Sequence, residues 1–567
     1  MSRFNTRSAR PTVRGPVTTT GQRTTTHEGG AAYVRDAKSE LFLLAVTNMV
    51  GQNTFYESAE GRDNRYRRLV RQLAVEDPAW TSGLLGWLRG SANMRSAAIV
   101  GAAEFVHARQ EAVADGSLFP DERAATAAGG GWNRKVIDSV LQRADEPGEL
   151  LGYWTSQYGR RLPKAVKRGV AEAVWRLYTE RAVAKYDAAT SGAIRFGDVI
   201  ELVHPTGSLP ASRMPVKGTW RGDLYEHALD RRHNRADRTI PNSLGLLRAR
   251  AELLATPVDQ RRRTLREEPD RLKRAGVTWE TLAAWLQGPM DAAAWEAVIP
   301  SMGLMALTRN LRNFDEAGVS DKVAAQVAAR LADPEEVRAS RQFPFRFLSA
   351  YRTAPSLRWG HALEQALAAS TSAIPALPGR TLVLVDTSAS MRGRVSERSM
   401  IRHVDVGALF AVALAARGCD VDLVGYADGA FRHELRPGGS VLKQAEAFCE
   451  RIGEVGHGTE TVAALQSTYD KHDRVVIVSD MQAFAHPGVG APRGFGGGRG
   501  YQPVTVSEAV PANVPMFGIN TSGHAPASID TGKPHRYEVG GFSDQVFTMV
   551  DLLSRGRDAG WPWEQAV

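Results

Sequence analysis

Residues Thr381–Met391 read TLVLVDTSASM. The apolar run Leu382–Val385 stops abruptly at Asp386, and Thr387, Ser388, Ala389 and Ser390 follow. A short continuous apolar run bounded by polar residues reads as a strand buried on both faces, the kind that parallel sheets use. A loop leaving such a strand can turn one carboxylate and two hydroxyls toward one point. Hard cations such as Mg²⁺ take about six oxygens at roughly 2.0–2.1 Å. The spacing DxSxS therefore marks Asp386, Ser388 and Ser390 as candidate cation ligands.

Two later residues complete the set. Thr459 lies in GHGTET, after Gly456 and Gly458 and before a helix predicted from Thr461, and Asp480 ends the apolar run RVVIVSD. Both are oxygen donors at strand-end loops. The plainer alternative is that Asp386 and the serines cap the next helix. The predicted cofactor is a divalent ion, Mg²⁺. With no His or second acid placed as a base, the site reads as one for binding, and the chain as no enzyme.

Around this stretch, strands and helices alternate. Strands are predicted at Leu382–Val385, Val421–Tyr426, Val475–Val478 and Pro515–Ile519. Helices are predicted at Ser396–Ala416, Leu442–Arg451, Thr461–Tyr469 and Ser543–Ser554. That alternation implies a parallel, doubly wound sheet with ligands at its carboxyl edge. The glycine-rich GFGGGRG (Gly494–Gly500) follows Pro492 rather than a strand, so it reads as an insertion and not as a dinucleotide loop.

Upstream, the pattern is helical almost throughout, with examples at Ala37–Asn48, Tyr66–Leu73, Trp80–Leu88, Ala97–Gln110, Ala165–Tyr186, Pro241–Leu254, Leu282–Leu286 and Val323–Leu331. Many consecutive helices broken by short Gly/Pro stretches fit a stacked helical-repeat array. Residues 1–26 carry five arginines and no acid and read as a disordered basic arm. The predicted division is thus an arm over 1–26, a helical-repeat domain over 27–370 and an α/β domain over 371–567.

At 567 residues the chain is long enough for more than one core. It has no apolar run long enough to span a membrane and no secretory leader. Its two cysteines, Cys419 and Cys449, offer no disulfide framework and suit a reducing cytoplasm. Charge is unevenly spread. Residues 1–370 hold 53 Lys and Arg against 41 Asp and Glu, whereas residues 371–567 hold 18 against 21. A positive excess confined to the helical part is the footprint of a polyanion binder. It concentrates at Arg160, Arg161, Lys164, Lys167 and Arg168, in a stretch without acids. If the helix extends that far, these share one face, opposite Val166, Val170 and Val174. Solvent screening alone is the other reading. Arg89 and Arg95 are weaker candidates, equally readable as ordinary helix-surface arginines.

Several motifs, in order, resemble the Ro autoantigen (TROVE) family: HEGGAAYVRDAKSELFLLA near the start, YGRRLPKAVKRGVAEAV, VAKY followed by RFGDVIELVHP, MALTRNLRNF and FPFRFLSAY. LVLVDTSASM, GHGTET and VSDMQAF are similar to the metal-ion-dependent adhesion site of a von Willebrand factor A domain. The resemblance implies a monomeric ring of HEAT-like repeats closed by the A-type domain. Its hole would accept single-stranded 3′ ends of misfolded non-coding RNA, and its basic outer surface would bind Y-like small RNAs. It also implies a role in RNA quality control or decay, in which a Y-like RNA tethers a 3′ exoribonuclease. Lys185 and His204 match family positions linked to Y RNA, and Asp386, Ser388, Ser390, Thr459 and Asp480 match the metal site. The family's arginine soon after Lys185-Tyr186 is not evident here, where Arg195 is the nearest arginine, and the glycine-rich insertion is a second departure. A metal-dependent protein adhesion or scaffold module that binds no RNA is the alternative.

Overall fold

The computed structural model describes residues 13–47, 50–118, 131–187, 194–205, 218–235, 238–354, 356–372, 374–397, 399–484, 504–542 and 546–564. They fall into two compact units that cut the chain differently from the linear division predicted above. One unit joins residues 1–69, 341–352 and 363–567, and the other holds 70–340 and 353–362.

The first unit is built on two sheets. β1 (Thr19–Thr25) and β2 (Ala31–Arg35) pair antiparallel. The disordered arm is thereby corrected from Val13 onward. Val13 and Val17 are buried, and four β-branched threonines in β1 suit an extended strand. Arg35 seals the hairpin to the larger sheet through a buried bidentate pair with Glu538, at 2.8 and 2.6 Å. The glycine-rich segment 494–500 and residues 1–12 lie outside the described residues.

The larger sheet comprises β3 (Arg380–Asp386), β4 (Asp420–Tyr426), β5 (Ala430–His433), β6 (Arg474–Ser479), β7 (Met516–Asn520) and β8 (Arg536–Gly540), in the order β5-β4-β3-β6-β7-β8. All neighbours are parallel except β5, which pairs antiparallel with β4. The all-parallel expectation is corrected by this edge strand. A tight turn after Tyr426 folds the chain straight back, which needs no crossover helix.

Leu382, Val383, Leu384 and Val385 are fully buried, each contributing roughly 1.5–3 kcal/mol of transfer free energy. One face of the sheet gathers Leu382, Leu384, Val424, Val475, Ile477 and Met516. Against β3 and β6 lies the helix His403–Ala416, with Gly407 so close that a Cβ would stand 2.9 Å from Val385. That helix begins seven residues later than predicted.

The second unit is helical, and helices close in sequence pack together. Pro78–Gly90 contacts Arg95–Ala114 and Trp132–Val140, Phe196–Val203 packs on Trp220–Arg232, and Leu304–Glu316 meets Asp321–Ala332 and Pro334–Ser340. Local chemistry sets the boundaries. Asp77 accepts from the Trp80 amide at 3.0 Å, with Pro78 at the first helical position. The single helix predicted over Ala165–Tyr186 is two, Lys164–Leu177 and Glu180–Tyr186, because Tyr178 is extended and the Thr179 side chain caps the second. Among the described residues no helix is long and apolar enough to cross a membrane.

Candidate cation site and basic faces

β3 is central, flanked by β4 and β6, so the carboxyl ends of three parallel strands open beside Asp386. Asp386 and Asp480 are buried, as are Ser388, Ser390 and Thr459. Asp386 Oδ1 accepts from the Ser388 amide at 2.9 Å, and its Oδ2 accepts from the Ser479 hydroxyl at 2.7 Å. The Ser388 and Ser390 hydroxyls stand 3.1 Å apart. Thr459 reaches the same edge through backbone pairing. The Phe484 amide donates to the Thr459 carbonyl at 3.0 Å, and the Ala389 amide donates to the His457 carbonyl at 3.0 Å. The five residues read from sequence therefore lie at one edge of the sheet, on segments tied to one another. The helix-cap alternative is overturned, because the next α-helix starts only at His403.

The Gly-x-Gly before Thr459 has a steric cause. Asp428, in the turn after β4, accepts from the His457 and Gly458 amides at 2.9 and 3.0 Å. A Cβ at Gly456, whose φ is +91°, would sit 1.9 Å from this carboxylate, and one at Gly458 would sit 2.1 Å from it. Asp428 and Ser479 were missed in sequence. Their only signal is position, each at the carboxyl end of a strand.

Burial pushes the Asp386 carboxyl well above its ordinary range. Burial, and then the neighbouring Asp386, do the same to Asp480. Neither acid has a Lys or Arg ion-pair partner among the described residues. Two buried like charges without a cation are costly, and a divalent ion would remove the cost. Hydroxyls and carboxylates are also the donor set that Mg²⁺ prefers. Among the described residues no group of three His, Cys, Asp or Glu could hold an ion, so hydroxyls must supply part of any coordination here.

In the helical unit, Arg160 and Arg161 precede the helix that starts at Lys164. Their expected place on one helical face is corrected, because Pro163 stands at the N-cap. Lys164, Lys167 and Arg168 do lie on that helix, away from the buried Val166, Val170 and Val174. Gly169 lets it close on Ile137, 2.7 Å from where a Cβ would be. Arg160, Arg161, Lys164 and Arg168 are exposed and Lys167 is half-buried. The first four basic residues of the cluster have no ion-pair partner among the described residues. By contrast, Arg89 pairs with buried Glu146 at 2.7 Å, and Arg95 contacts Asp145, Glu146 and Glu149. Those two arginines hold helices together and leave the list of candidates.

Lys185 is exposed, with its Nζ 4.9 Å from the Tyr186 ring centre. It lines a cavity of about 600 Å³ together with Arg143, Tyr186, Trp279, Arg309 and Asn310. Arg143 is committed to Asp145 at 2.6 Å. Lys185 and Arg309 have no ion-pair partner among the described residues. His204 ends the helix Phe196–Val203 in the left-handed region at φ +48° and is exposed. It is not among the residues lining this cavity. Arg195 pairs with buried Asp187 at 3.4 Å. Trp279 and Arg309 were missed as site residues, because they are far from Lys185 in sequence.

These features define a helical-repeat protein with a mixed α/β sheet unit that carries an acid-and-hydroxyl pocket. The TROVE domain family matches residues 247–379, a span containing MALTRNLRNF and FPFRFLSAY. The crystal structure of the Deinococcus radiodurans RO (RSR) protein is similar over 92% of this chain and 100% of that one, with a TM-score of 0.54 and 17% identity. A comparison with curated proteins gave no match. The match over residues 247–379 supports a protein of the Ro/TROVE type. At 17% identity the structural likeness speaks for the fold alone.

Proposed function

We propose that the chain is an RNA-binding protein of the Ro type, with the cluster Arg160, Arg161, Lys164, Lys167 and Arg168, together with Lys185 and His204, as its RNA-contacting residues. One observation carries this reading. Arg160, Arg161, Lys164 and Lys167 stand together without a carboxylate, while arginines elsewhere in the same unit, such as Arg134, Arg176 and Arg232, are in ion pairs. Cations left unpaired in one place, at the start of a helix whose dipole already favours anions, suit a phosphate backbone. The cavity beside Lys185 adds aromatic rings to cations, the combination that holds unpaired nucleotides.

The TROVE match over residues 247–379 supports the finer part of the proposal. The partners are Y-like small RNAs and single-stranded 3′ ends of misfolded non-coding RNA, the latter threading a ring. The role is RNA quality control in the cytoplasm, with a 3′ exoribonuclease tethered by the bound RNA. The protein binds and presents, and it does not cleave. Filter binding of a hairpin with a free single-stranded 3′ tail tests this. Affinity should fall steeply with salt, and closing the tail into a blunt stem should weaken binding. Equal binding of both substrates, or cleavage of labelled RNA on adding Mg²⁺, would count against it.

We further propose that the sheet unit is an A-type domain in which Asp386, Ser388, Ser390, Thr459 and Asp480 hold a divalent cation, Mg²⁺. The buried acid pair also supports a second reading, a metal-dependent adhesion module without RNA. The ratio of absorbance at 260 to 280 nm of the purified protein separates them, since RNA copurifies under the first alone.

A further inference from the structure

The turn between β1 and β2 is fastened to the segment just after Asp480. The Thr26 hydroxyl donates to the Ala483 carbonyl at 2.7 Å, and the His27 amide donates to Gln482 Oε1 at 2.9 Å. Gly30 passes so close that a Cβ would lie 2.2 Å from the Ala483 carbonyl oxygen. From this turn projects Glu28, whose carboxylate accepts from the Tyr56 hydroxyl at 2.5 Å. Ser390 and the charge of Asp480 both act on that hydroxyl.

Tyr56 is held in place by its neighbours. It stacks on His27, with ring centres 4.9 Å apart and planes 5° from parallel, and it meets the buried His524 edge-on at 5.4 Å. Glu28 and Tyr56 are thus joined to each other and stand near enough to Ser390 and Asp480 for their charges to interact. Glu28 has no ion-pair partner among the described residues, and its charge acts on Asp480. A third negative charge beside two buried acids is unfavourable unless a cation offsets it.

We propose that Glu28 and Tyr56 are outer-sphere positioning residues for the divalent cation, so that the chain's own N-terminal turn closes the open face of the site. The proposal rests on the cation reading given above. Glu28 does not join Asp386 and Asp480 in a group of three close acids, so it acts one shell out, through Tyr56. The charge balance follows. A divalent ion neutralises Asp386 and Asp480, and Glu28 leaves one negative charge at the mouth. A carboxylate arriving from a partner protein would meet that charge and the turn itself, which disfavours the adhesion mode.

The test is Mn²⁺ binding to the full-length protein, followed by the electron paramagnetic resonance of free Mn²⁺, with amide hydrogen exchange over residues 26–30. Wild type is compared with Glu28→Gln, Tyr56→Phe and Asp480→Asn, each first shown to melt as a folded protein. Asp480→Asn should abolish binding. Glu28→Gln and Tyr56→Phe should each weaken it by about tenfold or more, the usual cost of losing an outer-shell partner. Mn²⁺ should slow exchange at 26–30 in wild type and leave Glu28→Gln unaffected. If Asp480→Asn loses Mn²⁺ while Glu28→Gln and Tyr56→Phe bind as tightly as wild type and exchange ignores the ion, the closure is wrong and the cation site stands. If Asp480→Asn binds like wild type, the cation reading itself falls.

Discussion

Replacing Asp480 by Asn should stabilise the cation-free protein and abolish its response to Mg²⁺. The Asp480 carboxyl is pushed up to about 7 by burial and by Asp386, against a free value near 3.9. Holding it ionised at neutral pH therefore costs on the order of 4 kcal/mol. Asn keeps the Oδ1 acceptor used by the Gln482 amide at 3.2 Å, but adds an NH₂ group whose burial without a partner costs about 1–3 kcal/mol. The net gain expected is about 1–3 kcal/mol. For a unit of this size it corresponds to a rise in Tm of roughly 2–10 °C for the sheet unit's transition in EDTA. The pH dependence has a definite sign. Above about pH 4 the unfolded chain has released a proton that the native site still holds, so wild-type stability in EDTA falls as pH rises from about 4 to 7. Mg²⁺ at a hundred times its Kd should add about 2.7 kcal/mol to wild type and nothing to the variant. Scanning calorimetry at pH 5 and 7.5, with EDTA or Mg²⁺, reads all four conditions. A variant that melts lower than wild type in EDTA and still gains from Mg²⁺ would refute the reasoning.

Other perturbations address the rest of the molecule. Reversing Lys164, Lys167 and Arg168 to Glu should abolish retention of structured RNA, and equal affinity for wild type and variant across a salt titration would contradict it. The double change Lys185→Ala and Arg309→Ala should reduce the salt slope for single-stranded RNA by about 1.4 if each side chain contacts one phosphate; an unchanged slope would remove the cavity from the binding surface. Asp405 lies between Arg402 at 2.7 Å and Arg352 at 3.0 Å, and its carboxyl is held down to about 2 after burial is offset by both arginines. Asp405→Asn should therefore cost about 2–3 kcal/mol at neutral pH, the worth of that depression. Because the native value is depressed, that stabilisation is complete above about pH 4 and disappears as pH falls through about 2. The loss should be visible in urea titrations at pH 7 and absent at pH 2.

What could be seen in the sequence was whatever has a local cause. The apolar run Leu382–Val385 announces a buried strand by composition, and DxSxS and the final Asp of RVVIVSD lie at the ends of such runs. What stayed hidden depends on contacts between distant residues. The β1–β2 hairpin reads as a polar arm because its partners, Asp530, Ala527 and Glu538, are supplied from elsewhere in the chain. β5 is four residues long and is an edge strand only because the turn after Tyr426 folds it back. The break after Leu177 was readable in principle, since Tyr178-Thr179 offers a cap, but the apolar spacing continues across it and conceals the gap. Glu28 and Tyr56 carry no motif of metal ligands and matter only through where Gly30 and Thr26 place them.

The two functional readings stand on charges of opposite sign in different units, and this makes them separable. The unpaired cations at Arg160, Arg161, Lys164 and Lys167 belong to the helical unit, and the acids Asp386 and Asp480 belong to the sheet unit. RNA affinity driven by phosphate neutralisation responds to the first set and to ionic strength. A buried carboxylate pair is screened far less by salt and responds to divalent ions and pH. A protein whose RNA affinity is insensitive to Asp480→Asn, and whose Mg²⁺ response is insensitive to charge reversal at Lys164, has two independent devices. If instead Asp480→Asn weakens RNA binding at constant ionic strength, the cation is linked to the RNA-binding state. By reciprocity, RNA must then tighten Mg²⁺ binding by the same factor, an equality that a pair of titrations can check directly.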